Sequence, residues 1–331
     1  MDILLALLYL VVGFVFLIKG ADMFVDGSSN IAKLLKVPSI IIGLTVVALG
    51  TSLPEASVSI SSALAGQNAL AISNVVGSNI FNTLVVLGAS ALIKPVKVQI
   101  DSVKKEIPFS ILCTIALLCS LVLGVGTAIS AEGGEEMTTY TLGRIGGAVL
   151  LAFFAFYMYW QINSALKARK AGEIEEEEDD GKKISPVKSI IFIIIGVAAI
   201  ILGGNLVVNG ASTIAEKLGM SQTLIGMTIV AVGTSLPELV TSMVAAKKGE
   251  SDLALGNAIG SNIFNIVFIL GSSALISPMT VDILAVIDTI AVIAISALVL
   301  AFSATGKKIS RTEGGIMVAS YIAYLVYMCV R

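Results

Sequence analysis

The chain has 331 residues, of which 56% are hydrophobic and 13% charged, and its formal net charge is −2. Soluble domains carry about 25% charged residues, so a soluble globular class is excluded and length gives no domain count. Histidine is absent, and Cys113, Cys119 and Cys329 are scattered through apolar segments, which excludes HExxH zinc sites and a disulfide framework.

A helix crossing a bilayer needs about 20 apolar residues. Ten stretches are predicted to do so: 2–24, 39–65, 69–93, 107–126, 141–162, 188–208, 222–246, 252–276, 282–304 and 313–330. Residues 3–18 have the apolar run of a signal peptide but lack its basic leader; they read as a retained first span. Between the fifth and sixth spans, residues 163–187 carry Glu173, Glu175, Glu176, Glu177, Glu178, Asp179 and Asp180, flanked by basic residues. This composition reads as a solvated linker. A calcium-sensing role is disfavoured, because the glycine turn and ligand spacing of a calcium loop are missing.

The chain is internally duplicated. Residues 43–88, GLTVVALGTSLPEASVSISSALAGQNALAISNVVGSNIFNTLVVLG, recur without a gap as residues 226–271, GMTIVAVGTSLPELVTSMVAAKKGESDLALGNAIGSNIFNIVFILG. The flanks match as well: residues 19–35 align with 202–218, Pro95 with Pro278 and Val98 with Val281. Two halves of five spans each must insert in opposite senses, an inverted repeat with its site expected near the midplane between the halves. The expected fold is therefore all-α: a polytopic membrane protein of ten transmembrane helices in two inverted five-helix repeats, with helices 2 and 7 broken. The divisions are 1–162, a cytoplasmic acidic linker at 163–187, and 188–331.

Basic residues set orientation. With the N-terminus outside, only Arg144, Lys217 and Arg331 of the 21 lysines and arginines fall on the outer side. Both termini are then outside, in a cell membrane, and Glu132, Glu135 and Glu136 lie in an outer loop.

Glu55 and Glu238 stand alone in apolar runs, one in each copy. Burying a charge in a membrane costs at least about 2.5 kcal/mol, and intramembrane ionisable residues are functional candidates. One glutamate could be a protonated structural carboxyl; two at equivalent positions, each beside hydroxyls and a helix breaker, argue against that. Thr51 and Glu55 share a helix face. Pro54 removes a donor and clashes with the Gly50 carbonyl, which predicts a kink at GTSLPE. Carbonyls freed in this way are tolerated only where they line a cavity or bind something, and next to a carboxylate they suit a hard cation. Asn74, Ser78 and Asn82 form a polar stripe on the next helix, and Gly77 predicts a close helix approach there. The second copy repeats the set: Ala231, Thr234, Ser235, Pro237 and Glu238, then Asn257, Ser261 and Asn265. The stripe asparagines read equally as interhelical glue or as ligands. Ser57, Ser59, Ser61, Ser62, Thr241 and Ser242 read as packing positions. Asp22 and Asp26 read as interfacial, and Asp288 lies outside the symmetric site.

GTSLPE at 50–55 and 233–238, paired with GSNIFN at 77–82 and 260–265, resembles the cation/calcium antiporter superfamily in its sodium/calcium exchanger branch. The resemblance covers essentially the whole chain. It implies a sodium-driven calcium antiporter working by alternating access and electrogenic, a transporter and not an enzyme. It implies that Glu55 and Glu238 hold calcium with the carbonyls of Thr51 and Thr234, and that Asn82 and Asn265 complete the central positions. Sodium would use Ala48, Thr51, Ser52 and Ser78, with Ala231, Thr234, Ser235 and Ser261. Some members, including potassium-cotransporting ones, have aspartate where this chain has Asn265, which argues against potassium dependence. The proton-coupled branch has a different motif around its acidic residues, and the long regulatory insert of animal exchangers is missing. The expected partners are calcium and sodium ions and the lipid bilayer, with no cofactor, no nucleic acid and a monomer as the working unit.

Calcium takes six to eight oxygens, and the −2 charge of the glutamate pair matches one such ion. A channel would need a continuous pore, which inverted halves around one site disfavour. An intramembrane protease would need a catalytic constellation, and there is no histidine and no GxGD-like aspartate pair. The runner-up is an antiporter of another divalent cation, or one driven by protons.

Overall fold

The computed structural model describes residues 2–129, 136–171, 185–220, 229 and 231–330. The chain starts with α1 (Ile3–Leu35), followed by α2 (Ser39–Thr51) and α3 (Leu53–Leu64), which meet at 51°. α4 (Asn68–Ile93) returns to a short strand, β1 (Val96–Lys97). α5 (Ser102–Leu123) leads to β2 (Val125–Ile129) and β3 (Glu136–Leu142), and α6 (Arg144–Ala171) closes the first half. The second half runs α7 (Pro186–Lys217), α8 (Ala231–Thr234), α9 (Leu236–Lys248), α10 (Ser251–Ile276), β4 (Met279–Val281), α11 (Ile283–Gly306), β5 (Lys308–Ile309) and α12 (Arg311–Val330).

Seven described helices, α1, α4, α5, α6, α7, α10 and α11, are long and apolar enough to cross a membrane, and the bent pair α2–α3 makes an eighth. Ten is therefore not reached among the described residues. Most of the first part of the predicted span 222–246 lies outside them, leaving α8 and α9. The span predicted at 313–330 forms α12, whose first turn carries Arg311 and Glu313.

Several helices run past their predicted ends. α1 continues to Leu35, α6 to Ala171 and α7 to Lys217. Apolar length limits what lies in lipid, but a helix continues into water until something stops it. α6 therefore takes in the first part of 163–187, and α7 its last two residues. The acidic run, Glu173 to Asp180, lies outside the described residues, as do Glu132 and Glu135 of the outer loop.

The fold also departs from purely helical. β1 pairs antiparallel with β5, and β2, β3 and β4 form a three-stranded antiparallel sheet. These strands lie beyond the helix ends, where threonine-rich extended segments pair their backbone groups with one another. β1 and β4 occupy matching positions in the two copies, so each half's strand pairs with a segment of the other half.

α4 and α10 form the middle, with 72% and 78% of their apolar windows buried, against 22% and 28% for α1 and α7. α1 and α7 cross antiparallel at small residues. A Cβ on Gly13 would lie 2.8 Å from the Gly203 carbonyl oxygen, and one on Gly20 2.9 Å from that of Gly196. Close packing of this kind holds helices together in lipid, where apolar burial supplies no net drive. Gly13 matches Gly196 and Gly20 matches Gly203, so equivalent helices meet running in opposite directions. The close approach expected at Gly77 would be to Met227, the counterpart of Leu44, and so lies outside the described residues. Gly260, the counterpart of Gly77, makes such an approach: a Cβ there would sit 2.7 Å from the Leu44 carbonyl oxygen.

Candidate functional site

Both GTSLPE segments break the helix at the serine. Ser52 sits at φ −83°, ψ 8° and Ser235 at φ −91°, ψ 5°, outside the helical region. Pro54 and Pro237, each the second residue of the following helix, explain this, because proline has no N–H to continue the ladder. Just before the first break, α2 widens into a π-helical turn at Gly43–Val47. The Tyr157 hydroxyl of α6 donates to the Leu44 carbonyl at 3.0 Å and so satisfies a polar group in that turn.

The break places Glu55 in the first turn of α3 and Glu238 in the first turn of α9. Unpaired N–H groups give a helix N-terminus partial positive character that favours a carboxylate there. Both glutamates are fully buried. They are bonded reciprocally across the repeat: Ser52 donates to Glu238 Oε1 and Ser235 to Glu55 Oε1, each at 2.9 Å. Each carboxylate is thus bonded to the serine that precedes the other half's glutamate by three residues.

The stripe on α4 and its copy on α10 complete the cluster. Ser78 donates to Glu55 Oε1 at 3.5 Å, and Ser261 to Glu238 Oε1 at 3.4 Å. The hydroxyl oxygens of Ser235 and Ser78 lie 3.1 Å apart. Thr51 Oγ1 donates to Asn257 Oδ1 at 2.9 Å. The Ala48 carbonyl accepts from Ser261 at 3.5 Å. Thr234 is buried at the end of α8, which also holds Ala231. Asn82 and Asn265 are fully buried one turn beyond Ser78 and Ser261.

Asn74 and Asn257 are braces. Asn74 Nδ2 donates to Ser59 Oγ at 2.9 Å and to the Glu55 carbonyl at 3.4 Å. Asn257 does the same to Ser242 at 2.9 Å and the Glu238 carbonyl at 3.3 Å. Ser59 and Ser242 thus act as the structural partners they were expected to be. Asp22 and Asp26 pair with Lys248 at 3.3 and 2.8 Å at the surface, away from the cluster.

Residues not singled out from sequence also enter. Asn79 Nδ2 donates to the Asn262 carbonyl at 3.1 Å, linking the two central helices. Asn262 Nδ2 reaches Thr83 Oγ1 at 2.8 Å. The signal was available: Asn79 and Asn262 belong to GSNIFN, identical in both copies, but lie off the stripe's face.

No three aspartate, glutamate or cysteine side chains converge as a metal cluster among the described residues. The cluster is made of two carboxylates, hydroxyls, amides and backbone carbonyls, all of them hard oxygen donors apart from the amide nitrogens. Among the described residues, Glu55 Oε2, Glu238 Oε2, Asn265 Oδ1 and both side-chain polar atoms of Asn82 are buried without a hydrogen-bond partner. A buried polar atom left unpaired costs about 1–3 kcal/mol. The two glutamate oxygens, with those of Asn82 and Asn265 one turn along the neighbouring helices from Ser78 and Ser261, have the chemistry that a desolvated hard cation takes.

Comparison with known proteins agrees with this chemistry. A profile of the family described as sodium/calcium exchanger protein matches residues 5–163 and 188–330. The sodium/calcium exchanger MaX1 of Methanosarcina acetivorans is 37% identical over 351 residues, covering 97% of each chain. The inner membrane protein YrbG of Escherichia coli is 35% identical over 291 residues, covering 85% of this chain and 83% of that one. A solved structure of the sodium-calcium exchanger NCX_Mj superposes with a TM-score of 0.80 at 33% identity, covering 98% of this chain and 99% of the other.

Proposed function

The chain belongs to the sodium/calcium exchanger family of membrane antiporters, and from that premise we propose that it exchanges sodium for calcium by alternating access around Glu55 and Glu238. The observation that carries the reading is the reciprocal pair of serine–glutamate bonds, Ser52 to Glu238 and Ser235 to Glu55. Each half supplies a donor to the other half's carboxylate, so a cation between the glutamates is held by both halves at once. Relative movement of the halves then changes the side from which the ion is reached, as expected of a site at a repeat interface.

In this proposal Glu55 and Glu238 bind calcium with the carbonyls of Thr51 and Thr234. Sodium uses the surrounding oxygens of Ala48, Thr51, Ser52, Ser78, Ala231, Thr234, Ser235 and Ser261, and Asn82 and Asn265 line the same space. Calcium and sodium are substrates, and no resident cofactor is invoked. Several sodium ions replace one calcium. With more than two, the cycle moves net charge and responds to the membrane potential by about 2.3 kcal/mol per charge per 100 mV.

The proposed topology has ten spans in two inverted halves, 1–162 and 188–331, joined by a cytoplasmic segment within 163–187, with both termini outside a cell membrane. Two features support it. Equivalent helices α1 and α7 pack antiparallel. β1 pairs with β5, and β3 with β4; each pairing needs an even number of crossings between its strands, as ten spans provide.

The test is calcium uptake into proteoliposomes carrying the purified protein, with sodium and pH gradients imposed separately. Uptake is expected to follow an outward sodium gradient and to stop when it is collapsed. Uptake that follows pH and ignores sodium would make the protein a proton-driven antiporter; uptake with no trans ion would make it a channel.

A further inference from the structure

The two asparagines at matching positions, Asn82 and Asn265, each end the same GSNIFN motif but differ in surroundings. Asn265 Nδ2 donates to Asn79 Oδ1 at 3.1 Å. Its own Oδ1 has no partner among the described residues. For Asn82, neither side-chain atom has one. The difference follows from three hydrogen bonds and one substitution between the copies.

The Asn262 backbone carbonyl can only accept, and it lies 3.1 Å from Asn79 Nδ2. The NH2 end of Asn79 is therefore fixed toward it, and Asn79 Oδ1 faces Asn265. An acceptor at that point requires the NH2 end of Asn265. What Asn265 has left is an oxygen. An isolated amide can be placed either way round, but a relay anchored on a carbonyl defines its orientation chemically.

The matching relay in the other half would run from Asn262 Nδ2 to the Asn79 carbonyl and leave Asn262 Oδ1 to orient Asn82. Thr83 intercepts it. Its hydroxyl donates to the Asn79 carbonyl at 2.7 Å, and its oxygen accepts from Asn262 Nδ2 at 2.8 Å. The residue matching Thr83 in the second copy is Ile266, which has no hydroxyl. Asn262 Oδ1 is left unpaired among the described residues, and Asn82 lacks the contact that orients Asn265.

We infer that Asn79 is a positioning residue that presents Asn265 to the transported cation as a fixed oxygen ligand, and that Thr83 withholds the same orientation from Asn82. The inference rests on the proposal that Asn82 and Asn265 line the cation site. An NH2 end repels a cation and an amide oxygen binds one, so an amide already turned the right way lowers the ordering cost of binding. The second half therefore offers a preset ligand and the first half one that must turn.

The experiment measures the apparent KM for calcium in sodium-driven uptake by reconstituted vesicles, together with maximal rate and thermal unfolding. Asn265→Ala is expected to raise KM by about tenfold, equivalent to one lost ligand of about 1.4 kcal/mol. Asn79→Ala is expected to raise KM several-fold, with the maximal rate and unfolding temperature little changed. In an Asn265→Asp background both outer atoms are oxygens and orientation no longer matters. There Asn79→Ala should leave KM unchanged or lower it, since the Asn79 oxygen would face a carboxylate. An equal rise in both backgrounds would mean that Asn79 only packs, and would overturn the relay. Thr83→Val keeps the side-chain volume, removes the hydroxyl and frees Asn262. It is expected to lower KM, and a rise would count against the relay even if Asn79→Ala failed to fold. If Asn265→Ala leaves KM unchanged, the assignment of Asn265 to the cation site is wrong, and the inference falls with it.

Discussion

Replacing either central glutamate by glutamine should abolish calcium transport at low calcium while leaving the fold intact. Glu238 Oε1 accepts from Ser52 and Ser261, and Glu55 Oε1 from Ser235 and Ser78. These hydroxyls can turn to accept from a glutamine amide or keep donating to its oxygen, so the local hydrogen bonds survive. A neutral amide is also cheaper to bury than an ionised carboxylate. The attraction for the ion does not survive. Two unit charges 4 Å apart interact by about 4 kcal/mol at an effective dielectric of about 20, so a divalent ion loses about 8 kcal/mol per carboxylate removed. Even if half of that is returned by cheaper desolvation of the site, about 4 kcal/mol remains, roughly a thousandfold in apparent affinity. The assay is sodium-driven uptake of radioactive calcium by proteoliposomes across a range of calcium concentrations, with size-exclusion and thermal-unfolding controls. The reciprocal geometry adds a stricter demand: Glu55→Gln and Glu238→Gln should be impaired to a similar degree, because both carboxylates face one ion. Near-normal flux at low calcium in either variant would falsify direct ligation by that glutamate.

Four further outcomes are expected. A cysteine placed within residues 172–184, with the native cysteines replaced, should react with an impermeant thiol reagent only after the cells are opened; labelling from outside intact cells would reverse the topology. Gly203→Val should lower the unfolding temperature by the equivalent of about 1–3 kcal/mol, because a Cβ there lies 2.7 Å from the Gly13 carbonyl oxygen; an unshifted melt would mean that the α1–α7 crossing is looser than described. Tyr157→Phe should destabilise by about 1–3 kcal/mol, since the buried Leu44 carbonyl loses its donor; unchanged stability would show that the π-helical turn is satisfied without Tyr157. Asp26→Asn should leave calcium flux near wild type, because its pair with Lys248 is solvent-exposed and such pairs contribute about 0–1 kcal/mol; a large loss of flux would bring Asp26 into the transport cycle.

The centre of the site was legible in the sequence because two independent signals coincide there. Glu55 and Glu238 are costly in lipid, and the duplication shows that the cost recurs at matching positions. The kink could be read from Pro54 and Pro237, whose missing N–H acts locally. Asn79 and Asn262 were not read, because helical spacing selects one face and they lie on another, where their role depends on the opposite helix. The strands were missed for a similar reason: β1 and β5 are two residues each and become strands only because the chain brings them together. Lengths of α1, α6 and α7 were underestimated because apolar composition reports the lipid-facing part of a helix and not its continuation into water.

The pairing of each half's strand with the other half bears on how the molecule is made. When the ribosome has finished Val96 and Lys97, their partners Ile309 and Lys308 are still far from synthesis. At that stage the glycine face of α1 has no α7 to meet, and Glu55 has no Ser235 to accept from. Helices can enter the bilayer one after another, but the first set waits there with its polar centre unsealed. Closure of the carboxylate pair is then a late event in biogenesis, requiring nearly the whole chain. A protein truncated after α6 would be left in that waiting state, an inserted but unfinished substrate for the membrane's quality-control proteases.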